Sequence, residues 1–136
     1  MYRRVEDGWV ISTRELLFLC GQALPLIPAT GTATFMVPFP YIPTPFRQRL
    51  LRGFGVQLVG IRPGGQIVGH TDVLDPTVRR YHLPLQVNDG CWSFSAGQWD
   101  QLKLAGIYAV DPTQPHGAVN WGDTIRLHLM IDVEAS

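Results

Sequence analysis

Three side chains of this sequence could together bind a metal ion: His70, Asp72 and His116. His70 and Asp72 are separated by one residue, and residues i and i+2 of an extended strand point to the same face, so the imidazole and the carboxylate can converge. Two histidines and one carboxylate on one face of an octahedron form the ligand set of non-haem iron(II) oxygenases. A His-x-Asp pair alone is more often structural, so the hypothesis depends on the rest of the chain.

An arginine follows the distal histidine by ten residues. Arg126 lies in a run of alternating apolar and polar residues, which predicts a strand. Its guanidinium could hold the far carboxylate of a dicarboxylic cosubstrate in a forked, charge-assisted pair. We expect antiparallel pairing about a turn at residues 121–123 to bring Arg126 close to the neighbours of His116.

The composition indicates one compact globular domain. The 136 residues are 46% apolar and 16% charged, and eleven Lys and Arg balance eleven Asp and Glu. Because binding to phosphate backbones needs a basic surface, the absence of net charge argues against a nucleic acid partner.

The two cysteines, Cys20 and Cys91, do not resemble a disulfide framework, and we expect two reduced thiols that do not bind the metal. No apolar run approaches the ~20 residues that span a bilayer, and the N-terminus is not followed by a signal-peptide core. The sequence therefore predicts a soluble cytoplasmic protein without a membrane partner.

The first part of the chain predicts a covering layer. After a lead-in with a short strand at 9–11, Ser12 and Glu15 have the spacing of a capping box and precede a helix over 13–24, which Pro25 ends. The proline-rich residues 25–46 predict an edge strand at 33–39 within an ordered wrap. A second short helix is predicted over 44–52.

From residue 55 onward the pattern changes to short strands separated by turn residues. Strands without intervening helices predict a sandwich or jelly roll. The predicted strands are 56–62, 66–72, 80–87, 91–95, 98–105, 107–110, 116–120 and 124–133.

The last of these strands has two chemically different faces. One face carries Ile125, Leu127, Leu129, Ile131 and Val133, and the other carries Arg126, His128, Met130 and Asp132. Because the candidate ligands lie on polar faces, we predict that the polar face lines a cavity, while the N-terminal helix and the wrap cover the apolar face. His128 could reach the cavity or serve as a structural histidine.

Residues 55–133 resemble the core of the aspartyl/asparaginyl β-hydroxylase-like family of Fe(II)/2-oxoglutarate dioxygenases. The resemblance rests on GHTD (69–72), RRYHLPLQVN (79–88), GQWDQLKLAGIYAVDPTQPHGAVN (97–120) and DTIRLHLMID (123–132). The chain is also similar to bacterial cis-proline hydroxylases. The resemblance implies a mainly β fold, a cupin-like double-stranded β-helix or jelly roll, in one domain over 1–136. Residues 1–54 would form the helix and wrap, and 55–133 the core.

The family's functional residues carry over to positions in this chain. By resemblance, His70, Asp72 and His116 match the iron ligands, Arg126 matches the arginine on the distal carboxylate of 2-oxoglutarate, and His82 matches a histidine that contacts this cosubstrate. Animal peptidyl hydroxylases carry glycine in place of Asp72, so this chain is more similar to bacterial and phage-like members. Arg80 could bind a substrate carboxylate. Alternatively, it could form a salt bridge with Asp75 or Asp111.

The resemblance implies an enzyme that uses Fe(II), 2-oxoglutarate and O2 to hydroxylate an unactivated C–H bond. A free amino acid or other small acid is the first substrate expectation, and a peptidyl Asp, Asn or Pro side chain is the second. One alternative is a non-oxidative cupin-like metal-binding protein or isomerase. Another is a nucleic acid demethylase on a related jelly roll, which the zero net charge disfavours.

Overall fold

A computed structural model of the chain describes residues 2–5, 9–48 and 52–134, with the side chains of 52–54 left out. Its described strands form two antiparallel sheets. The six-stranded sheet has the order β1 (Arg3–Arg4), β8 (Tyr108–Val110), β5 (Val78–Gln86), β10 (Arg126–Glu134), β3 (Arg52–Ile61) and β2 (Thr34–Pro38). The four-stranded sheet has the order β4 (Gln66–His70), β9 (His116–Asn120), β6 (Cys91–Ser95) and β7 (Gln98–Asp100).

The chain passes repeatedly between the two sheets. From β3 to β10 only the β6–β7 hairpin joins neighbouring strands of one sheet, and every other connection crosses to the opposite sheet. This alternation is the double-stranded β-helix that the sequence predicts. The architecture is mainly β, as expected.

Helix α1 spans Thr13–Ala23 and begins as predicted, because the Ser12 side chain accepts a hydrogen bond from the Glu15 backbone N–H at 3.0 Å. Of the two hydrogen bonds of the predicted capping box, only this one forms. Instead of reaching back to Ser12, the Glu15 carboxylate accepts hydrogen bonds from the backbone N–H and the hydroxyl of Thr44. Glu15 therefore ties α1 to the short helix α2 (Thr44–Gln48). The part of the predicted second helix at 49–51 lies outside the described residues.

The hydrophobic core lies between the six-stranded sheet and the N-terminal layer. The apolar face of β10 packs there against α1 and the proline-rich wrap, as the alternation predicts. Full burial of each such side chain contributes about 1.5–3 kcal/mol. The buried members from β10, α1 and the wrap are Leu127, Leu129, Ile131, Val133, Leu19, Ala23, Phe39 and Phe46.

Two expectations about the N-terminal region differ from the structure. Residues 9–11 form no strand; Ile11 is buried in the core and Trp9 stacks on Tyr81, with ring centroids 5.3 Å apart. Packing of these side chains thus replaces strand pairing. The first strand is instead β1, and β1 and β2 form the two edges of the six-stranded sheet. The N-terminal region therefore completes the sheet as well as covering it.

Asn120 connects the two sheets. Its fully buried side chain donates hydrogen bonds to the carbonyl of Ile61 in β3 and to the carbonyl of Thr124, each at 2.8 Å. Cys20 and Cys91 are free thiols. In the described part of the chain, no helix is long and apolar enough to cross a membrane.

Candidate metal centre

A β-bulge in the β4–β9 ladder decides where His70 points. Ile67 lies opposite Ala118, whereas His70 lies opposite His116, so β4 contains one residue more than β9 between these two pairs. Residues three apart in a regular strand face opposite sides of a sheet. Because of the extra residue, Ile67 and His70 both face the same cavity.

The three predicted ligands come together at the mouth of this cavity. The nitrogens of His70 and His116 and an oxygen of Asp72 all lie within 4.8 Å of one another. Asp72 Oδ1 is 3.5 Å from His70 Nε2, and Asp72 Oδ2 is 3.3 Å from His116 Nε2. Asp72 lies beyond the end of β4, not inside the strand as predicted, and its backbone N–H donates to the Pro112 carbonyl at 2.8 Å. A loop contact therefore positions the carboxylate.

Backbone carbonyls orient both imidazoles. Nδ1 of His70 lies 2.8 Å from the Val68 carbonyl, and Nδ1 of His116 lies 2.9 Å from the Gln114 carbonyl. Because a carbonyl can only accept, each Nδ1 carries the proton, and in the neutral ring the Nε2 lone pair faces Asp72. Two lone pairs and a carboxylate repel one another unless a cation lies between them. This donor set therefore fits a divalent metal, in the arrangement by which outer hydrogen bonds orient metal-binding histidines.

Arg80 binds the carboxylate of Asp72, one of the three candidate ligands. Its Nη1 donates to Asp72 Oδ2 at 2.9 Å, while Nε and Nη2 donate to the two oxygens of Asp132, which lies directly across the β5–β10 ladder. The hydrogen bonds to Asp132 raise the pKa of Arg80 above its usual value. The expected salt bridge with Asp75 or Asp111 is wrong, since those carboxylates accept hydrogen bonds from threonines in their own loops.

Arg126 reaches the cavity from the opposite sheet. The expected pairing about residues 121–123 is wrong: β9 belongs to the four-stranded sheet, and β10 pairs with β3 and β5. The side chain is only 2% exposed and donates through Nη2 to the Ser93 hydroxyl at 3.2 Å. Burial lowers the pKa of Arg126 to about 10. Within the described residues it forms no salt bridge, and a buried cation without a counterion costs several kcal/mol.

His82 and His128 form a buried pair beside Arg126. Their Nδ1 atoms are 3.3 Å apart, so one ring donates and the other accepts. Burial, and next the charge of Arg126, hold the pKa of each imidazole well below its usual value, so both are neutral. His82 lines the cavity and His128 is 1% exposed. This agrees with the alternative in which His128 serves as a structural histidine and does not reach the cavity.

Because His82 and His128 are buried and neutral, we expect the folded protein to lose stability in mild acid. In the unfolded chain both rings titrate near pH 6.5. Because the folded state resists protonation of either ring, the free energy of unfolding should fall below that pH by up to about 1.4 kcal/mol per pH unit for each histidine. Denaturant unfolding between pH 7 and pH 5 measures the slope. The His128→Gln variant, with one titrating ring fewer, should show a shallower slope, and an unchanged slope would contradict the assignment.

The cavity has a volume of about 420 Å³, within the range of small-molecule sites. Its polar groups include the candidate ligands His70, Asp72 and His116 and, separately, Arg126. Apolar side chains line much of the remaining wall. Tyr2 and Met36 also line it, although the sequence predicted only the covering helix and wrap for residues 1–54 and no site residue there. The other apolar lining residues are Val59, Ile67, Val73, Ala118 and Met130.

Comparison with known sequences identifies a protein family and a curated relative. The profile of the family described as aspartyl/asparaginyl β-hydroxylase matches residues 44–136. The L-proline cis-4-hydroxylase of Rhizobium meliloti (strain 1021) is 37% identical over 82 residues, which cover 59% of this chain and 29% of that protein. The matched region thus spans less than a third of the length of this curated relative.

Solved structures share the fold at low identity. A protein from Thermus thermophilus has a TM-score of 0.57 at 13% identity, covering 82% of this chain and 93% of the other. The cupin domain of Schizosaccharomyces pombe Cnp3 has a TM-score of 0.56 at 11% identity, with coverages of 81% and 71%. A Bordetella pertussis cupin domain has a TM-score of 0.54 at 14% identity, with coverages of 79% and 100%. These likenesses establish the double-stranded β-helix fold alone.

Proposed function

Because the chain belongs to the aspartyl/asparaginyl β-hydroxylase family, we propose that it hydroxylates an unactivated C–H bond in a reaction that depends on Fe(II), 2-oxoglutarate and O2. Membership in this family supports hydroxylase activity, which is that of an oxidoreductase. The activity, its dependence on iron and 2-oxoglutarate, and the roles of individual residues all belong to the proposal. The same family match and the proline hydroxylase relative support a small-molecule or peptide substrate.

The burial of Arg126 without a salt bridge carries the proposal. A guanidinium in a closed site is stabilised best by a carboxylate that accepts a forked pair of hydrogen bonds. The described residues supply only the Ser93 hydroxyl. The cavity joins Arg126 to the His70, Asp72 and His116 cluster. A ligand with a carboxylate at one end and a metal-binding oxo acid at the other, as in 2-oxoglutarate, would complete both ends.

Each polar residue of the cavity then has one task. His70 and His116 would hold iron through Nε2 and Asp72 through its carboxylate, while Arg80 keeps that carboxylate in place. Iron and 2-oxoglutarate bound there would supply the oxidation: O2, 2-oxoglutarate and the substrate would give succinate, CO2 and the hydroxylated product, with one oxygen atom of O2 in succinate and the other in the new hydroxyl group. Arg126 and His82 bind the distal carboxylate, and His82 stays neutral, so it acts through a hydrogen bond.

Apolar side chains from both sheets line the cavity and would limit the access of bulk water to the reacting carbon. Val59 of β3 and Met130 of β10 face Ile67 of β4 across the cavity. Exclusion of water strengthens the ionic contacts inside and limits side reactions. The protein thus contributes placement and a dry site, and the cofactor contributes the difficult chemistry.

We propose a free amino acid or another small acid as the substrate, with a peptidyl Asp, Asn or Pro side chain as second choice. The relative's name makes L-proline the first compound to test. Arg80 lines the cavity, and three of its N–H groups are used by Asp72 and Asp132, which leaves two for a substrate carboxylate. A substrate role for Arg80 remains a prediction.

A substrate screen tests the function. Purified protein with Fe(II), ascorbate, O2 and 2-oxoglutarate is incubated with L-proline, other amino acids, and peptides that contain Asp, Asn or Pro. We expect succinate to form together with a product that has gained one oxygen atom. Tight iron binding with no succinate in any mixture would favour the non-oxidative metal protein, which no observation in the cavity otherwise supports.

A further inference from the structure

His128 contacts His82 from outside the cavity. The Nδ1 atoms of the two rings are 3.3 Å apart, within hydrogen-bond distance, and the ring centroids lie 5.5 Å apart at 79°. His82 lines the cavity, whereas His128 is fully buried and does not line it. Any effect of His128 on a bound ligand must therefore pass through His82.

This contact leaves one ring nitrogen of His82 for the cavity. Within the described residues, no hydrogen bond involves His82 Nε2. The Tyr2 ring packs perpendicular to His82 with centroids 5.6 Å apart, so the imidazole is packed against two other rings. Close packing of this kind restricts rotation of the imidazole. Nδ1 therefore stays on His128, and Nε2 is the atom that His82 can offer to a ligand.

The hydrogen bond between the two histidines can form in two ways. Both imidazoles are neutral, since burial, and next the charge of Arg126, hold each pKa well below its usual value. A neutral imidazole has one N–H and one bare nitrogen. If His82 donates through Nδ1, its Nε2 is bare and can only accept. If His128 donates, His82 accepts through Nδ1 and carries its own proton on Nε2.

A carboxylate ligand can use only the second arrangement. An ionised carboxylate is an acceptor only, so a bare Nε2 would place two sets of lone pairs in opposition. An Nε2–H would instead donate a charge-assisted hydrogen bond to the carboxylate. Arg126 lines the same cavity and needs the same kind of ligand. For His82 and Arg126 to bind one carboxylate together, the proton between the two Nδ1 atoms must belong to His128.

We propose that His128 is a positioning residue: it donates its Nδ1–H to His82 and thereby holds His82 in the tautomer whose Nε2–H binds the distal carboxylate of 2-oxoglutarate. This inference rests on the proposed function. It gives a role in cosubstrate binding to a residue that does not line the cavity. A histidine that only filled the core could be replaced by an apolar side chain of similar size without loss of ligand affinity.

Nitrogen NMR of isotope-labelled imidazoles tests the tautomer. Protein loaded with Zn(II), a redox-inert replacement for Fe(II), is measured with 2-oxoglutarate, because protonated and bare ring nitrogens have well-separated chemical shifts. The His82→Gln and His128→Asn variants identify which signals belong to each ring. We expect His82 to be protonated at Nε2 and bare at Nδ1, and His128 to be protonated at Nδ1. Protonation of His82 at Nδ1, alone or together with Nε2, overturns the proposal.

Two substitutions of His128 separate positioning from packing. His128→Leu fills the core without a donor, so His82 Nδ1 would be a buried acceptor without a partner in the ligand-bound tautomer. We expect 2-oxoglutarate affinity to fall about tenfold, which corresponds to ~1.4 kcal/mol, while Fe(II) affinity stays unchanged. His128→Asn is the matched control, because its amide N–H can donate to His82 from nearly the position of Nδ1. It should keep most of the affinity in anaerobic titrations of the Fe(II)-loaded proteins.

The outcomes separate this inference from the proposed function. Equal 2-oxoglutarate affinity in His128→Leu and wild type would overturn the inference. Equal losses in His128→Leu and His128→Asn would also overturn it, since they would indicate a packing role. If His128→Leu fails to fold, the NMR measurement on wild type still decides. A wild type that binds Fe(II) but not 2-oxoglutarate would refute the proposed function and this inference with it, whereas 2-oxoglutarate bound with a bare His82 Nε2 would refute this inference alone.

Discussion

Iron(II) affinity is expected to fall by more than about 100-fold when Asp72 is replaced by alanine. Mutation of residues that only hydrogen-bond to metal ligands commonly lowers metal affinity about 10–100-fold. Asp72 is itself a candidate ligand, and it is the one anionic residue among His70, Asp72 and His116. Its loss also leaves Arg80, which then pairs with Asp132 alone, as a positive charge beside the metal position. His70→Ala and His116→Ala should lose iron similarly. Anaerobic equilibrium dialysis with Fe(II) measures each affinity.

The fold should survive these changes. The side chains of His70 and Asp72 are more than one third exposed, and neither belongs to the hydrophobic core. Circular dichroism and unfolding curves should therefore be close to those of wild type. Asp75→Ala is the matched control, because Asp75 lies in the same loop and, among the described residues, its side chain accepts hydrogen bonds from Thr77 alone. Iron affinity equal to wild type in all three ligand variants would show the triad assignment to be wrong.

For Arg126→Lys we expect about tenfold or greater loss of 2-oxoglutarate affinity. Lysine keeps the positive charge but cannot donate two parallel hydrogen bonds to one carboxylate. A charge-assisted hydrogen bond contributes about 1.5–3 kcal/mol, and a loss of ~1.4 kcal/mol lowers the affinity tenfold. Arg126→Ala should weaken binding further, since the distal carboxylate would be buried without a partner. Fe(II) affinity should barely change in either variant. Anaerobic titration of the iron-loaded protein with 2-oxoglutarate measures the effect.

A stability measurement separates a binding role of Arg126 from a structural one. If the guanidinium serves the ligand, Arg126→Met should be at least as stable as wild type without 2-oxoglutarate, because it removes a buried charge that has no counterion among the described residues. Arg79→Ala is the control, since Arg79 is exposed and donates to backbone carbonyls in its own loop. Unchanged 2-oxoglutarate affinity in Arg126→Ala would contradict the role, and with it much of the case for a 2-oxoglutarate enzyme.

The sequence predicts which face of a strand a residue occupies better than which strands are neighbours. The alternation of β10 placed Arg126 on the cavity face and Leu129 in the core, because side-chain direction has a period of two along any strand. The same reasoning paired β9 with β10 across a short turn, and that was wrong. The turn carries a crossover between sheets, and the length of a loop does not reveal whether the chain stays in one sheet.

Long-range contacts account for the other differences. Asp72 is placed by a hydrogen bond to Pro112, and Arg80 by Asp132, each far away in the sequence. Tyr2 enters the cavity because β1 joins the edge of the six-stranded sheet. No local pattern encodes these contacts, so composition and spacing could not identify them. The three candidate metal ligands were predictable from the sequence because coordination chemistry restricts the residue types that can bind a metal.

The bulge in β4 limits how this protein can change in length. A deletion of one residue between Ile67 and His70 would restore a regular ladder and turn His70 out of the cavity, even if every remaining side chain were kept. Replacement of Val68 by another residue is tolerated more readily, since its side chain is exposed and only its carbonyl contacts His70. We therefore expect related chains to vary in composition along this strand and to carry insertions and deletions only in loops that do not set the register.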